Sequence, residues 1–219
     1  MKLFLDTSNI EDIKKYRELG ILDGVTTNPS SLSKEGGDVA QKVKDIATAF
    51  PEGDISVEVT ETDPDKVYEQ AKKIAALAKN ITIKIPCHAQ YYAIIKKLVK
   101  EKVSINVTLV FTLIQSLMMC KLGVHYISPF VGRWDDIDVD GSKLLYEVRH
   151  MIDMYDYKTE LLAASLRTVR NLHDAILAGA DVATVSAKVL EKSLEHPLTD
   201  SGIKKFDADW QKLGAPKFP

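Results

Sequence analysis

Ile81-Thr82-Ile83-Lys84-Ile85-Pro86 is a short, β-rich run that predicts a strand buried on both of its faces. Such strands are typical of parallel sheets that are covered by helices. The chain carries eight β-rich runs, of which Thr82–Pro86 in this stretch is one. The other seven are Lys2–Asp6, Gly24–Asn28, Ser56–Thr60, Ile105–Val110, Tyr126–Phe130, Leu161–Ser165 and Val182–Ser186.

Helical patterns lie between these runs. The first has a Ser8-x-x-Glu11 capping box and ends at Gly20. Another has Asp63 as its N-cap and Pro64 at its first position. Further patterns cover Leu113 to Leu122, Gly141–Tyr155 and Thr199–Leu213.

Eight strands that alternate with helices predict a parallel sheet. Eight strands close a TIM (β/α)8 barrel, and 219 residues fall within its size range. The alternative is an open, doubly wound sheet, which is weakened because no G-x-G-x-x-G follows the first strand. No linker or composition shift divides the chain, so we expect one domain over residues 1–219. It includes an extra C-terminal helix over about 199–213, with Phe206 and Trp210 on one face.

The composition is that of an ordinary globular protein, with 45% apolar and 27% charged residues. A net charge of −2 gives no general electrostatic footprint for nucleic acid or membrane. Cys87 and Cys120 are too few for a disulfide scaffold and lack metal-ligand spacing. We therefore expect a cytoplasmic protein without nucleic-acid or membrane partners.

Alternate residues of a strand point to opposite faces. One parity is aliphatic and should pack beneath the helices. Its members are Leu3, Leu5, Val57, Val59, Ile83, Ile85, Val107 and Leu109. The other parity carries polar groups near the C-terminal ends of the strands, where TIM barrels build active sites. They are Asp6, Thr26, Asn28, Glu58, Lys84, Asn106, Thr108, Ser128, Ser165 and Ser186. A polar structural plug is the alternative, but buried charges need partners, and a shared pocket supplies them.

Lys84 is the most informative member of this set, because a lysine is rarely buried unless it is paired or needed. Burial disfavours the ammonium form, and the neutral amine is a Schiff-base nucleophile. The alternative is a strand-end lysine that reaches water or pairs with a carboxylate. An iminium on Lys84 would act as an electron sink for making or breaking a C–C bond. Asp6 and Glu58 are candidates for the proton transfers. The groups suited to orient hydroxyls or water are Asn28, Thr108, Ser128 and Ser165.

Arg133, Ser165 and Arg167 follow the sixth and seventh strands. Barrels often hold phosphate with these later loops, and the guanidinium fork suits phosphate. The alternative is that the two arginines are surface loop residues.

Eight segments of the chain match, in order, a pattern that covers nearly its whole length. They are Leu5-Asp6-Thr7, Gly24–Ser30, Ser56–Val59, Ile83–Pro86, Asn106–Phe111, Ser128–Arg133, Ala163–Arg167 and His196–Asp200. The chain thereby resembles the small transaldolases and the related fructose-6-phosphate aldolases.

The resemblance implies a TIM barrel without bound metal or organic cofactor. It implies transfer of a dihydroxyacetone unit from sedoheptulose 7-phosphate or fructose 6-phosphate to an aldose phosphate, in the pentose phosphate pathway. Lys84 would form the Schiff base, Asp6 would be the acid/base, and Glu58 with Thr108 would hold a water. The implied substrate-binding residues are Thr26, Asn28, Asn106, Ser128, Phe130, Arg133, Ser165 and Arg167.

Two positions separate the branches of this family. The aldolases carry glutamine in place of Glu58 and tyrosine in place of Phe130, so the sequence favours the transaldolase branch. An aldolase that uses the same lysine is the nearest alternative, and an inactive sugar-phosphate-binding barrel is a remote one. In similar proteins the C-terminal helix packs on a neighbouring subunit of a pentamer or decamer, so we expect a homo-oligomer. A helix folded back on its own barrel is the alternative.

Overall fold

The computed structural model describes residues 1–34 and 36–214. Its eight parallel strands close into a barrel in sequence order, and the first strand pairs with the eighth. The strands are β1 Lys2–Asp6, β2 Gly24–Thr26, β3 Asp54–Glu58, β4 Ile81–Pro86, β5 Ile105–Val110, β6 Tyr126–Pro129, β7 Glu160–Leu166 and β8 Val182–Val185. The predicted TIM barrel is confirmed.

Helices surround the barrel, and none of the described ones is long and apolar enough to cross a membrane. They are α1 Ile10–Glu18, α2 Pro29–Lys34, α3 Val39–Ala49, α4 Pro64–Ala75, α5 Tyr92–Lys100, α6 Leu113–Leu122, α7 Val131–Asp135, α8 Ser142–Met154, α9 Val169–Leu177, α10 Ala187–Leu194 and α11 Pro197–Lys212. The expected extra C-terminal helix is α11. The expected domain over 1–219 includes residues 215–219, which lie outside the described residues, so that boundary stays a prediction.

Local sequence sets the helix ends, with one correction. Asp63 caps α4 by accepting a hydrogen bond from the Lys66 N–H, as expected. The predicted capping box at Ser8 is wrong, because Asn9 caps α1 by accepting from the backbone N–H groups of the second and third helical residues. Ser8 is buried, and its hydroxyl instead donates to the carbonyl of Ser31.

The barrel interior has an apolar half towards the N-terminal ends of the strands. Phe4, Tyr126, Leu162 and Val182 fill it, and the Phe4 and Tyr126 rings meet edge to face with centroids 6.1 Å apart. A Cβ at Gly24 would lie 2.6 Å from the Phe4 ring, so glycine is needed there. This cluster lies beneath the polar cavity, and on its other side the Tyr126 hydroxyl donates to Asp54 Oδ2 at 3.0 Å.

The aliphatic parity packs against the helices, with one exception at β5. Leu109 has a φ of 56°, and the register between β5 and β6 shifts between Val107 and Val110. A bulge of this kind breaks the alternation of side chains. Leu109 therefore lines the cavity inside the barrel, and its predicted position beneath the helices is wrong.

Candidate active site

A cavity of about 350 Å³ opens at the C-terminal ends of the strands. It brings together the predicted site residues apart from Thr108. These are Asp6, Thr26, Asn28, Glu58, Lys84, Asn106, Ser128, Phe130, Arg133, Ser165 and Arg167. Parallel strands end on the same rim of the barrel, which explains why residues so distant in sequence meet here.

Lys84 lies at the base of this cavity and is 5% exposed. It is opposite Glu58 in the register of β3 and β4, and its Nζ lies 3.0 Å from Glu58 Oε2. The Nζ also donates to the carbonyl of Thr27 at 3.3 Å and lies 6.0 Å from the centre of the Phe130 ring. Lys84 thus pairs with a carboxylate, as the alternative interpretation expected. The pair nevertheless lies within a cavity that a ligand can enter.

Asp6 is the second carboxylate at the base of the cavity. Its Oδ1 accepts hydrogen bonds from the Thr26 hydroxyl at 3.3 Å and from Asn28 Nδ2 at 3.4 Å. Burial raises the pKa of the Asp6 carboxyl above its usual range, although Lys84 and the two hydrogen bonds act in the opposite direction. A carboxyl with a raised pKa is better suited than an ordinary one to take up and return a proton.

Buried amide and hydroxyl groups fix the wall formed by β5 and β6. Ser128 donates to Asn106 Oδ1 at 2.6 Å, and Asn106 Nδ2 donates to Ser56 at 3.1 Å. Thr108 is fully buried but does not border the cavity, and its Oγ1 has no hydrogen-bond partner among the described residues. Its water-holding role stays a prediction.

The two arginines reach the rim of the cavity from α7 and from the loop after β7. Arg167 pairs through Nη1 with Asp136, whereas Arg133 is not paired with a carboxylate in the described part of the chain. Helix α7 and the end of β7 lie in close contact. A Cβ added at Gly132 would be only 2.5 Å from the carbonyl oxygen of Ser165. The guanidinium groups make this rim suited to bind an anion.

Sequence reasoning missed Thr184 and misplaced the polar residue of the eighth strand. Ser186 was expected on the inner face, but it caps α10, where its hydroxyl accepts from the Val189 N–H at 3.4 Å. Thr184, two residues earlier on the same parity, lines the cavity instead. The alternation of side chains along the strand could have identified Thr184. It does not extend to Ser186, because β8 ends one residue earlier.

Among the described residues, no group of three or more His, Cys, Asp or Glu side chains is placed to hold a metal ion. A cavity with a lysine and two carboxylates at its base and arginines at its rim suits covalent carbonyl chemistry on an anionic substrate.

Known proteins resemble this chain over nearly its whole length. The family model described as transaldolase/fructose-6-phosphate aldolase matches residues 3–216. A probable transaldolase of Alkaliphilus metalliredigens is 46% identical over 97% of this chain and 99% of its own length. A probable transaldolase of Lactiplantibacillus plantarum is 46% identical over 98% of this chain and 99% of its own. A third, from Sinorhizobium medicae, is 44% identical over 98% of both.

The fold also resembles a solved structure of a flavocytochrome b2 variant with sulfite bound. The TM-score is 0.60 at 12% sequence identity, and the match covers 85% of this chain and 56% of the other. At this identity the likeness concerns the barrel alone.

Proposed function

The chain belongs to the transaldolase/fructose-6-phosphate aldolase family, and we propose that it is a transaldolase. It would move a dihydroxyacetone unit from fructose 6-phosphate or sedoheptulose 7-phosphate to an aldose phosphate, as in the pentose phosphate pathway. The observation that carries the proposal is the buried Lys84 beside Glu58 in a cavity rimmed by arginines.

In the first step Lys84 Nζ attacks the ketose carbonyl. Glu58, at 3.0 Å, is the nearest carboxylate that can take the ammonium proton before the attack. Loss of water from the carbinolamine gives an iminium, which withdraws electrons from the adjacent C–C bond. Glu58 is well placed to pass a proton to the departing hydroxyl.

Asp6 then removes the proton from the hydroxyl on the far side of the bond that breaks. The bonding electrons pass into the iminium to give an enamine on Lys84, and the aldehyde leaves. Burial raises the pKa of Asp6, which supports a role in keeping this proton until an acceptor aldehyde arrives. Attack of the enamine on that aldehyde reverses the step, and hydrolysis frees the lysine.

The remaining residues would bind and orient the substrate. Asn28 and Ser128 would hold hydroxyls of the dihydroxyacetone unit. Asn106 would fix the position of Ser128, and Thr26 that of Asp6, through the hydrogen bonds described above. The phosphate would bind at the rim, on Arg133, Ser165 and Arg167.

An aldolase that uses the same lysine is the second candidate, because the family model covers both activities. Glu58 and Phe130 support the transaldolase branch by their resemblance to its pattern, and Phe130 borders the cavity near Lys84. The intact group of Lys84, Glu58 and Asp6 argues against an inactive sugar-phosphate-binding barrel.

We also propose a homo-oligomer, a pentamer or decamer. Helix α11 has no buried residue, and Phe206 and Ile203 are 74% and 61% exposed. An apolar face of this extent is expected to be covered by another subunit. Two free cysteines support a cytoplasmic location.

Borohydride trapping tests the chemistry. With fructose 6-phosphate present, reduction should leave one dihydroxyacetone-sized adduct per chain, located on Lys84 by peptide mass mapping. The Lys84→Arg variant should form no adduct, because guanidinium does not lose its proton at neutral pH. An adduct on another lysine, such as Lys188, would contradict the assignment.

A further inference from the structure

Thr184 on β8 forms a short hydrogen-bonded chain with Thr26 and Asp6. Its Oγ1 lies 2.7 Å from the Oγ1 of Thr26, which in turn lies 3.3 Å from Asp6 Oδ1. Both threonines are buried, at 4% and 2% exposure. Their geometry is therefore set by the barrel rather than by solvent.

The donor and acceptor in each of these hydrogen bonds follow from the number of protons that each group can donate. An ionised carboxylate only accepts hydrogen bonds, and each threonine hydroxyl has one proton to donate. When Asp6 is ionised, Thr26 must direct its proton to Asp6, so the contact between the threonines requires Thr184 to donate to Thr26. Hydrogen bonds in such a chain polarise and strengthen one another.

We propose that Thr184 is a positioning residue for Asp6. Its hydroxyl holds Thr26 as a donor to the Asp6 carboxylate and thereby sets how readily Asp6 binds a proton. This inference rests on the proposed function only where it concerns turnover, because the effect on Asp6 itself is a property of the folded protein.

Lys84 also acts on the pKa of Asp6, and the charged groups that share its cavities must stay constant in any test. They line the cavities that Asp6 borders, and they are Glu58 on β3, Lys84 on β4, Arg133 on α7, Arg167 after β7, and Lys188 and Lys192 on α10. None of them is altered by a substitution at Thr184, so a change in the Asp6 pKa can be assigned to the hydroxyl chain.

The experiment is a carboxyl ¹³C NMR titration of the full-length protein with labelled aspartate, in which Asp6→Asn identifies the Asp6 signal. Thr184→Val removes the hydroxyl at nearly constant volume and should raise the Asp6 pKa by about 0.1–0.7 unit, since a neighbouring bond adds ~10–30% to a hydrogen bond that a carboxylate accepts. Thr184→Ser should keep the wild-type value. Thr184→Ala repeats the deletion in case valine does not fold.

Thr82→Val is the matched control. It removes another buried threonine hydroxyl, which lies 2.9 Å from Ser104 Oγ near the opposite end of the barrel, and it should leave the Asp6 pKa unchanged. An unchanged Asp6 pKa in Thr184→Val or Thr184→Ala would overturn the proposal.

Steady-state kinetics supply the second measurement. Thr184→Val should lower kcat about two- to tenfold, the range for one neutral hydrogen bond, with KM within about twofold. A raised KM with an unchanged Asp6 pKa would mean that Thr184 only lines the cavity and does not position Asp6. If borohydride trapping fails, the proposed function falls, whereas the NMR titration still decides the role of Thr184.

Discussion

Lys84 and Glu58 are opposite each other on paired strands, with Nζ and Oε2 3.0 Å apart and both side chains largely buried. Attraction to the carboxylate stabilises the ammonium, which is the unreactive form of a nucleophilic lysine. The same carboxylate is the nearest acceptor for the proton that the ammonium must lose. The pair therefore gives the lysine a counter-ion inside the barrel and places a proton acceptor next to its nitrogen.

Glu58→Gln should lower the rate of transfer about a hundredfold, because a carboxamide cannot accept the lysine proton. The measurement is kcat for transfer from fructose 6-phosphate to erythrose 4-phosphate. Glu101→Gln, which breaks the exposed pair with Lys72, is the control and should be close to wild type. A Glu58→Gln rate near that of the control would reduce Glu58 to a structural counter-ion.

Asp6→Asn should stabilise the protein at neutral pH while lowering activity about 10²–10⁴-fold. Burial raises the folded-state pKa of Asp6 above its usual value near 3.8. Ionised Asp6 therefore destabilises the fold at every pH above its folded-state pKa, and this penalty vanishes as pH falls to the unfolded value.

The measurement for Asp6→Asn is the midpoint of thermal unfolding from pH 3.5 to 8. The variant should have the higher Tm at pH 8, and the difference should shrink towards pH 3.5. A variant that is less stable than wild type at pH 8 would mean that the carboxylate forms more favourable contacts than its burial costs.

The sequence predicted the barrel and most of its polar cavity because side-chain alternation in strands is a local property. The prediction from sequence failed where two neighbouring residues satisfied the same local rule. Ser8 and Asn9 are equally good helix caps, and only the tertiary contact of Ser8 with Ser31 decides between them. Alternation also fails at Leu109, where a left-handed residue shifts the register, and nothing in the apolar run itself marks that bulge.

Arg133→Ala should raise KM for phosphorylated donors about ten- to a hundredfold, since charged hydrogen bonds are worth roughly 1.5–3 kcal/mol. Uncharged substrates such as dihydroxyacetone should be affected much less. Arg167→Ala should have a smaller effect, because Arg167 is half exposed and already pairs with Asp136. Equal losses on charged and uncharged substrates would make Arg133 structural.

Gly132→Ala should disturb the phosphate end without touching the lysine. The added Cβ would lie 2.5 Å from the backbone oxygen of Ser165 and 2.8 Å from Arg167 Nε, so α7 or the loop after β7 must move. Overpacking of this kind costs about 1–3 kcal/mol of stability. We expect a lower Tm and a raised KM for fructose 6-phosphate, but unchanged borohydride trapping at saturating donor.

Gly202→Ala is the control for this substitution, because a Cβ there meets nothing within 4 Å. Because Gly202 lies within α11, alanine there should leave KM close to wild type and should not lower Tm. If Gly132→Ala behaves in the same way, the close approach of α7 to β7 does not constrain the rim.

Phe130→Tyr should shift the enzyme from transfer towards release. After cleavage, the enamine on Lys84 either attacks an acceptor aldehyde or is protonated at carbon and hydrolysed. The Phe130 ring lies 6.0 Å from Lys84 Nζ and packs edge to face on Phe111, and a phenyl ring supplies no proton donor. A phenol would add a donor and an acceptor there. Free dihydroxyacetone from fructose 6-phosphate alone should therefore rise relative to transfer to erythrose 4-phosphate.

Combining Phe130→Tyr with Glu58→Gln should push this ratio further, since the aldolase branch carries both residues. If the two side chains act on one water, their effects on the ratio should be non-additive in a double-mutant cycle. The ratio is measured in wild type, the two single variants and the double variant under the same conditions. A wild-type enzyme that releases dihydroxyacetone as fast as it transfers it would make the chain an aldolase. The same Lys84 chemistry would then serve a lyase.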